Sequence, residues 1–123
     1  MADELILIVD DNAQNRKLAR DVLRFAGFRT LEADGGVDGV AAAVAHLPDL
    51  VLMDIRMPDM NGTEALRRLK EDERTAAIPI VALTSSTMKG DRERFLGFGF
   101  DGYLHKPINV RAFPDQVRDH LRA

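Results

Sequence analysis

Short apolar runs alternate along this chain with longer segments of helical period, and four of the runs lead straight into a polar functional group. Leu5-Ile6-Leu7-Ile8-Val9 precedes the pair Asp10-Asp11, and Leu50-Val51-Leu52-Met53 precedes Asp54. Ile80-Val81-Ala82-Leu83 precedes Thr84, and Tyr103-Leu104-His105 precedes Lys106-Pro107. Alternation of this kind is the pattern of a parallel sheet with crossover helices. Strands are expected near 5 to 9, 29 to 33, 50 to 53, 80 to 83 and 102 to 105. Helices are expected near 13 to 26, 36 to 47, 62 to 71, 88 to 98 and 111 to 121. Right-handed crossovers then favour an α/β fold: a five-stranded parallel sheet of flavodoxin-like order 2-1-3-4-5, with helices on both faces. The first, third and fourth strands are apolar nearly throughout and belong in the middle. Ligands of such sheets bind beyond the carboxyl ends of the strands, where Asp10, Asp11, Asp54, Thr84 and Lys106 fall.

Local punctuation agrees with these bounds. Asn12 and Asn61 are read as N-caps, Gly27 as a left-handed terminator of the first helix, and Pro48 as the close of the second. Phe113, Val117 and Leu121 recur at spacing four and form the buried stripe of the last helix. Pro114 is out of place inside a helix, so that helix is expected to start late, near Phe113. Gly97 and Gly99 flank Phe98 at the end of the fourth helix, where each glycine costs about 1 kcal/mol against alanine in a helix interior. This is expected to be the looser part of the surface around it.

The chain has 123 residues, the size of one domain able to bury a core without cross-links. It is read as a single domain, residues 1 to 123, with no second functional module. It has no cysteine, which excludes disulfides, thiolate metal sites and thiol nucleophiles, and it fits a cytoplasmic location. No secretory signal and no membrane span are read in it. With 17 basic and 20 acidic residues, it lacks the charge for a nucleic-acid face built on phosphate neutralisation. His46, His105 and His120 have no ligand spacing, and Gly35-Gly36 lacks the pattern of a phosphate-cradling loop.

Three carboxylates converging at adjacent strand ends repel one another by a few kcal/mol per pair, at about 4 Å and an effective dielectric near 20. Either one is protonated or a cation sits among them. An oxygen-only donor set suits Mg²⁺ best, with Mn²⁺ and Ca²⁺ as substitutes. Such a metal keeps open positions and meets phosphate oxygens, so the natural substrate is a phosphoryl group. Lys106 adds positive charge, and the Thr84 hydroxyl is placed to donate to a phosphoryl oxygen. Asp54 stands alone on a central strand while Asp10 and Asp11 can share the metal, which makes it the candidate nucleophile and the site of an aspartyl phosphate.

At this point the residues match a family. Val9-Asp10-Asp11-Asn12, Met53-Asp54-Ile55-Arg56-Met57-Pro58 with Gly62 behind it, Leu83-Thr84, and Tyr103-Leu104-His105-Lys106-Pro107 stand in the order and spacing of response-regulator receiver domains. The chain resembles these phosphoacceptors of two-component signalling over essentially its whole length. Met88-Lys89-Gly90-Asp91, with Asn12 and Asn15, is most similar to the single-domain cell-cycle regulators of the family and to the receivers of hybrid kinases.

The resemblance implies that Asp54 takes phosphoryl from a sensor or hybrid histidine kinase, or from a histidine phosphotransfer protein. It implies that Asp11 binds Mg²⁺ directly and Asp10 mostly through water, and that the backbone carbonyl of Arg56 completes the protein ligands. It further implies a cis Lys106-Pro107 bond. Thr84 and Tyr103 match a switch pair that reshapes the face of the fourth helix, fifth strand and fifth helix. Arg56 and Ser86 stand where the family tunes phosphoryl lifetime, and the long Arg56 is expected to shield the phosphoryl group. The state implied is a monomer or a weak phosphorylation-dependent dimer. Two other readings remain: a phosphorylation-independent adaptor of the same fold, and a small-molecule phosphotransferase or phosphatase. The second is disfavoured by Arg56, which stands where an acid-base residue would be needed, and by the lack of a substrate-capping domain.

Overall fold

The computed structural model describes residues 3–85 and 90–121. In chain order the elements are β1 (Leu5–Val9), α1 (Ala13–Phe25), β2 (Arg29–Ala33), α2 (Gly36–His46), β3 (Leu50–Asp54), α3 (Gly62–Glu71), β4 (Ile80–Thr84), α4 (Asp91–Phe98), β5 (Gly102–His105) and α5 (Phe113–Leu121). The strands form one parallel sheet in the order β2-β1-β3-β4-β5, as the alternation implied. Registers Val9↔Met53, Asp54↔Leu83 and Thr84↔His105 bring the carboxyl ends of four strands to one edge.

The alternation of side chains along each strand divides the interior in two. Leu7, Val9, Val51, Met53, Ile80 and Ala82 face α2, α3 and α4, where they meet Ala43, Leu66, Leu69 and Phe95. Ile6, Ile8, Leu50, Leu52, Val81 and Leu83 face α1 and α5, where they meet Ala19, Leu23, Phe113 and Val117. Every residue of β3 and β4 is buried, whereas β2 at the edge alternates between covered and open positions.

The helix ends follow local chemistry. The Asn12 side chain accepts the Asn15 N–H at 3.0 Å and the Asn61 side chain accepts the Thr63 N–H at 2.9 Å, so both asparagines cap as read. Gly27 has φ +101°, while the Phe28 N–H reaches the Leu23 carbonyl and the Gly27 N–H reaches that of Arg24. This is a Schellman ending, and the side chains of Phe28 and Leu23 lie in the same core.

The last helix starts late, at Phe113. Asn109 accepts the N–H groups of Arg111 and Ala112 through its side chain, closing a separate turn ahead of Pro114. The Phe113 N–H bonds the Asn109 carbonyl at 2.8 Å, and Pro114, which has no N–H to offer, then sits at the second helical position. Gly97 is inside α4, and Gly99, just past the expected helix end at 98, terminates α4 at φ +115°. Its left-handed conformation is the one glycine adopts at low cost, so the interior-helix penalty applies to Gly97 alone. Of the fourth-helix segment expected from 88, Met88 and Lys89 lie outside the described residues, as does Ser86.

Pro48 does follow the end of α2, but the terminator itself is Leu47 at φ +48°. A side chain in the left-handed region costs about 1–2 kcal/mol, and this leucine is 52% exposed, so burial offsets little of that cost. Leu47→Asn is expected to raise stability by about 0.5–1 kcal/mol. Urea unfolding would show it as a higher midpoint at unchanged slope; a lower midpoint would mean that the leucine side chain contributes more than its backbone costs.

Candidate metal centre

Asp10 follows β1 directly, and its polar groups are held on every side. Its N–H donates to the Ala33 carbonyl at 3.1 Å, its carbonyl accepts from Arg16 Nη1 at 2.7 Å, and Oδ1 accepts the Asn12 N–H at 2.9 Å. Oδ2 takes Lys106 Nζ at 2.8 Å. Asp10 and Asp54 are buried, whereas Asp11 faces solvent. One carboxylate oxygen from each of the three lies within 4.8 Å of the others.

Lys106 reaches this cluster because β5 pairs with β4. Its N–H donates to the Thr84 carbonyl at 2.7 Å, which carries the chain across the end of the sheet. The Lys106-Pro107 bond is cis. From there Nζ bridges Asp10 and Asp54, standing 3.3 Å from Asp54 Oδ1. Thr84 is buried at the end of β4 and shares a cleft with Arg56, Asn61, Phe95 and Phe98. A second cleft, of about 360 Å³, is lined by Asp11, Ile55, Arg56, Met57, Pro58 and Asn61. The structure thus brings Asp10, Asp11, Asp54 and Lys106 together and sets Thr84 and Arg56 in adjoining clefts. Tyr103 lies farther along β5, half-buried and stacked on Phe95 with centroids 5.8 Å apart and an interplanar angle of 18°.

The loop between β3 and α3 is held at both ends. Gly62 donates its N–H to the Ile55 carbonyl at 2.8 Å, and a Cβ there would stand 2.5 Å from the Asp54 carbonyl oxygen. Only glycine lets α3 begin so close to the backbone of Asp54. Asp59 accepts the N–H groups of Gly36 and Val37, both at 3.0 Å, and so caps α2, whose own N-cap residue, Gly35, has no side chain to do so. Those two backbone bonds hold the Asp59 carboxyl below its ordinary pKa.

Sequence reasoning finds neither the helix that Asp59 caps nor the role of Arg16. Arg16 had a local signal: it stands four residues after the N-cap Asn12, on the first turn, where a long side chain can fold back over the strand end. Asp59 had none, because its partners lie 22 and 23 residues away.

Burial pushes the Asp54 carboxyl up to about 6; Lys106 opposes that shift, and the charge of Asp10 and a hydrogen bond with Asp11 add to it. Burial pulls the Lys106 ammonium down, but its bond to Asp10 and the charges of Asp54 and Asp10 outweigh this, so it is raised overall. One ammonium therefore does not neutralise three crowded carboxylates. The donors are all oxygen, one is open to water, and the set suits a hard divalent cation. Among the described residues this is the one group of three or more such side chains arranged to hold a metal, and none of the three histidines takes part.

The fold and the acidic edge are those of a signalling receiver. The response-regulator receiver domain model matches residues 6–118, and the chain belongs to that family. The polar-differentiation response regulator DivK of Brucella ovis is 40% identical over 116 residues, covering 94% of each chain; DivK of Brucella anthropi is 39% identical over the same span. The narrower likeness to single-domain cell-cycle regulators expected from the sequence agrees with these relatives. Among solved structures, the receiver domain of a sensor histidine kinase from Pseudomonas aeruginosa is 32% identical, with a TM-score of 0.89 over 99% of this chain and 100% of that one. It was crystallised with a magnesium ion coordinated in its active-site cleft. The Vibrio cholerae chemotaxis protein CheY4 is 26% identical, with a TM-score of 0.89 over 97% of this chain and 99% of that one.

The raised pKa of Asp54 has a pH consequence in metal-free protein. Between its ordinary value, 3.8, and about 6, the folded state binds more protons than the unfolded chain, so stability falls as pH rises through that interval. Asp54→Asn removes this dependence. In chelator, the variant is expected to gain on wild type as pH rises and to level off above about 6. The plateau is expected at about 1–2 kcal/mol, allowing for solvent screening at the open mouth. Thermal melts from pH 4 to 8 would test it, and parallel curves for the two proteins would reject it.

Proposed function

We propose that this chain is a single-domain response regulator whose Asp54 accepts a phosphoryl group from a phosphohistidine in a Mg²⁺-dependent reaction, with Mn²⁺ able to substitute. The observation that carries this reading is the convergence of Asp10, Asp11 and Asp54 within 4.8 Å, with Lys106 Nζ bridging two of them. The family membership and the magnesium in the Pseudomonas receiver support it. Asp10, Asp11, Asp54 and the backbone carbonyl of Arg56 are the residues that would hold the cation. Bound there, the cation neutralises the acidic cluster and polarises the phosphoryl oxygens.

In the proposed transfer, an Asp54 carboxylate oxygen forms a bond to phosphorus as the P–N bond of the donor breaks, and the bonding electron pair returns to the imidazole nitrogen. Lys106 Nζ balances negative charge at the Asp54 oxygen and then on the phosphoryl group. The Thr84 hydroxyl, one strand away, donates to a phosphoryl oxygen. Tyr103 follows Thr84 in the same switch, and the change is read by partners on the surface of α4, β5 and α5. The exposed Arg56 shields the phosphoryl group from water. The chain catalyses only its own phosphorylation and dephosphorylation, acts in the cytoplasm, and is a monomer or a weak phosphorylation-dependent dimer. No described helix is long and apolar enough to cross a membrane.

A donor must bring its phosphohistidine to the mouth of this site, and one side of that mouth is apolar. Leu18 of α1 lines a cleft with Lys106, Pro107 and Ile108, and farther down α1 Val22 and Phe25 line another with Val110 and Pro114. Phe25 is 96% exposed. Residues 18, 22 and 25 share one helix face, which suits the apolar face of a donor helix from a histidine kinase or a histidine phosphotransfer protein.

Purified protein incubated with acetyl phosphate and Mg²⁺ is expected to gain the mass of one phosphoryl group in a base-labile adduct. Chelator or Asp54→Asn abolishes it. If neither acetyl phosphate nor a histidine-phosphorylated donor yields the adduct, the phosphorylation-independent adaptor replaces this reading. Leu18→Glu is expected to slow transfer from the protein donor about tenfold. Its rate with acetyl phosphate is expected to stay at the wild-type value, and equal slowing with both donors would refute docking along α1.

A further inference from the structure

We infer that Arg16 is a positioning residue for the acidic pair, setting the affinity of the site for its divalent cation through the backbone of Asp10. Arg16 Nη1 donates to the Asp10 carbonyl at 2.7 Å, while Nε stands 3.4 Å from Glu32 Oε1. Glu32 sits on β2, one residue before Ala33, whose carbonyl takes the Asp10 N–H. Arg16 and β2 therefore grip the Asp10 backbone from both sides of the same residue. The Arg16 side chain is only 18% exposed, and Glu32 is held in turn by Arg20 Nη1 at 3.1 Å.

The carbonyl that Arg16 holds belongs to the peptide joining Asp10 to Asp11. Rotation of that peptide swings the Cα–Cβ bond of Asp11 relative to Asp10, and Asp11 is the member of the cluster open to solvent. The Asp10 carboxylate has anchors of its own in Asn12 N–H and Lys106, whereas that of Asp11, open to solvent, meets the carboxyl of Asp54. The aim of Asp11 thus depends on the peptide plane behind it. Groups behind metal ligands that fix their orientation typically change affinity by about tenfold or more when removed.

This inference rests on the proposed function only in taking the acidic cluster as a cation site, and direct titration with Mg²⁺ separates the two. Calorimetry or amide NMR shifts would give the Mg²⁺ dissociation constant of the full chain, wild type and variants. Arg16→Gln is expected to weaken Mg²⁺ about tenfold. Arg16→Lys, which retains one donor, is expected to recover part of that loss. Arg20→Ala, which cuts the same charge network without touching Asp10, is expected to stay within about twofold of wild type. In acetyl phosphate reactions the Mg²⁺ concentration for half-maximal rate is expected to rise in Arg16→Gln, while the rate at saturating Mg²⁺ returns to near wild type.

Unchanged Mg²⁺ affinity in Arg16→Gln overturns the inference, as does an equal weakening in Arg20→Ala. A reduced rate at every Mg²⁺ concentration overturns it too, because it would show general damage to the fold. If wild type itself binds no Mg²⁺, the cation-site reading fails first, and with it this one.

Discussion

Two short contacts of a single ammonium hold the functional edge of this molecule together. Lys106 Nζ lies 2.8 Å from Asp10 and 3.3 Å from Asp54, so it ties the segment after β5 to the ends of β1 and β3. Those ends would otherwise present buried carboxylates to one another, an arrangement that costs several kcal/mol when uncompensated. The ammonium makes the apo site tolerable without making it neutral. Burial still holds Asp54 well above the ordinary carboxylate range. A site in this condition favours further positive charge.

The rest of the fold serves to keep these ends in register. Parallel pairing fixes Asp54 beside Leu83 and Thr84 beside His105, and the two cores clamp the sheet from opposite sides. Gly62 permits α3 to start against the backbone of Asp54, and Asp59 fastens the intervening loop to α2. Neither Gly62 nor Asp59 belongs to the acidic cluster, yet each helps to hold it in place. They explain how an open cleft at the rim of a sheet can keep defined geometry.

Much of this was legible in the sequence because the signals were periodic or local. The apolar runs ending at Val9, Met53 and Leu83 fixed the central strands, and Asn12, Asn61 and Gly27 marked helix ends through chemistry confined to a few residues. Pro114 correctly demanded a late start for α5, since a missing N–H cannot be repaired by packing. The convergence of Asp10, Asp11, Asp54 and Lys106 followed from topology once the strand order was fixed. What escaped was long-range or compensatory: Asp59 caps a helix 22 to 23 residues before it, and Asn109 builds a turn that no pattern required. Leu47 takes the left-handed position that a glycine would have announced.

The division of the interior into two cores carries a consequence for how such a chain can change. The stripe of Leu18, Val22 and Phe25 rides on α1, which packs on the core of Leu23, Phe28 and Phe113. Phe95 and Tyr103, beside α4, belong with the opposite core. The sheet stands between them, with β3 and β4 buried along their whole length. Substitutions on α1 can therefore alter which surface it presents without repacking the aromatic cluster at α4, and the reverse also holds. The two sides of the sheet are free to drift separately, as two connectors wired to one board.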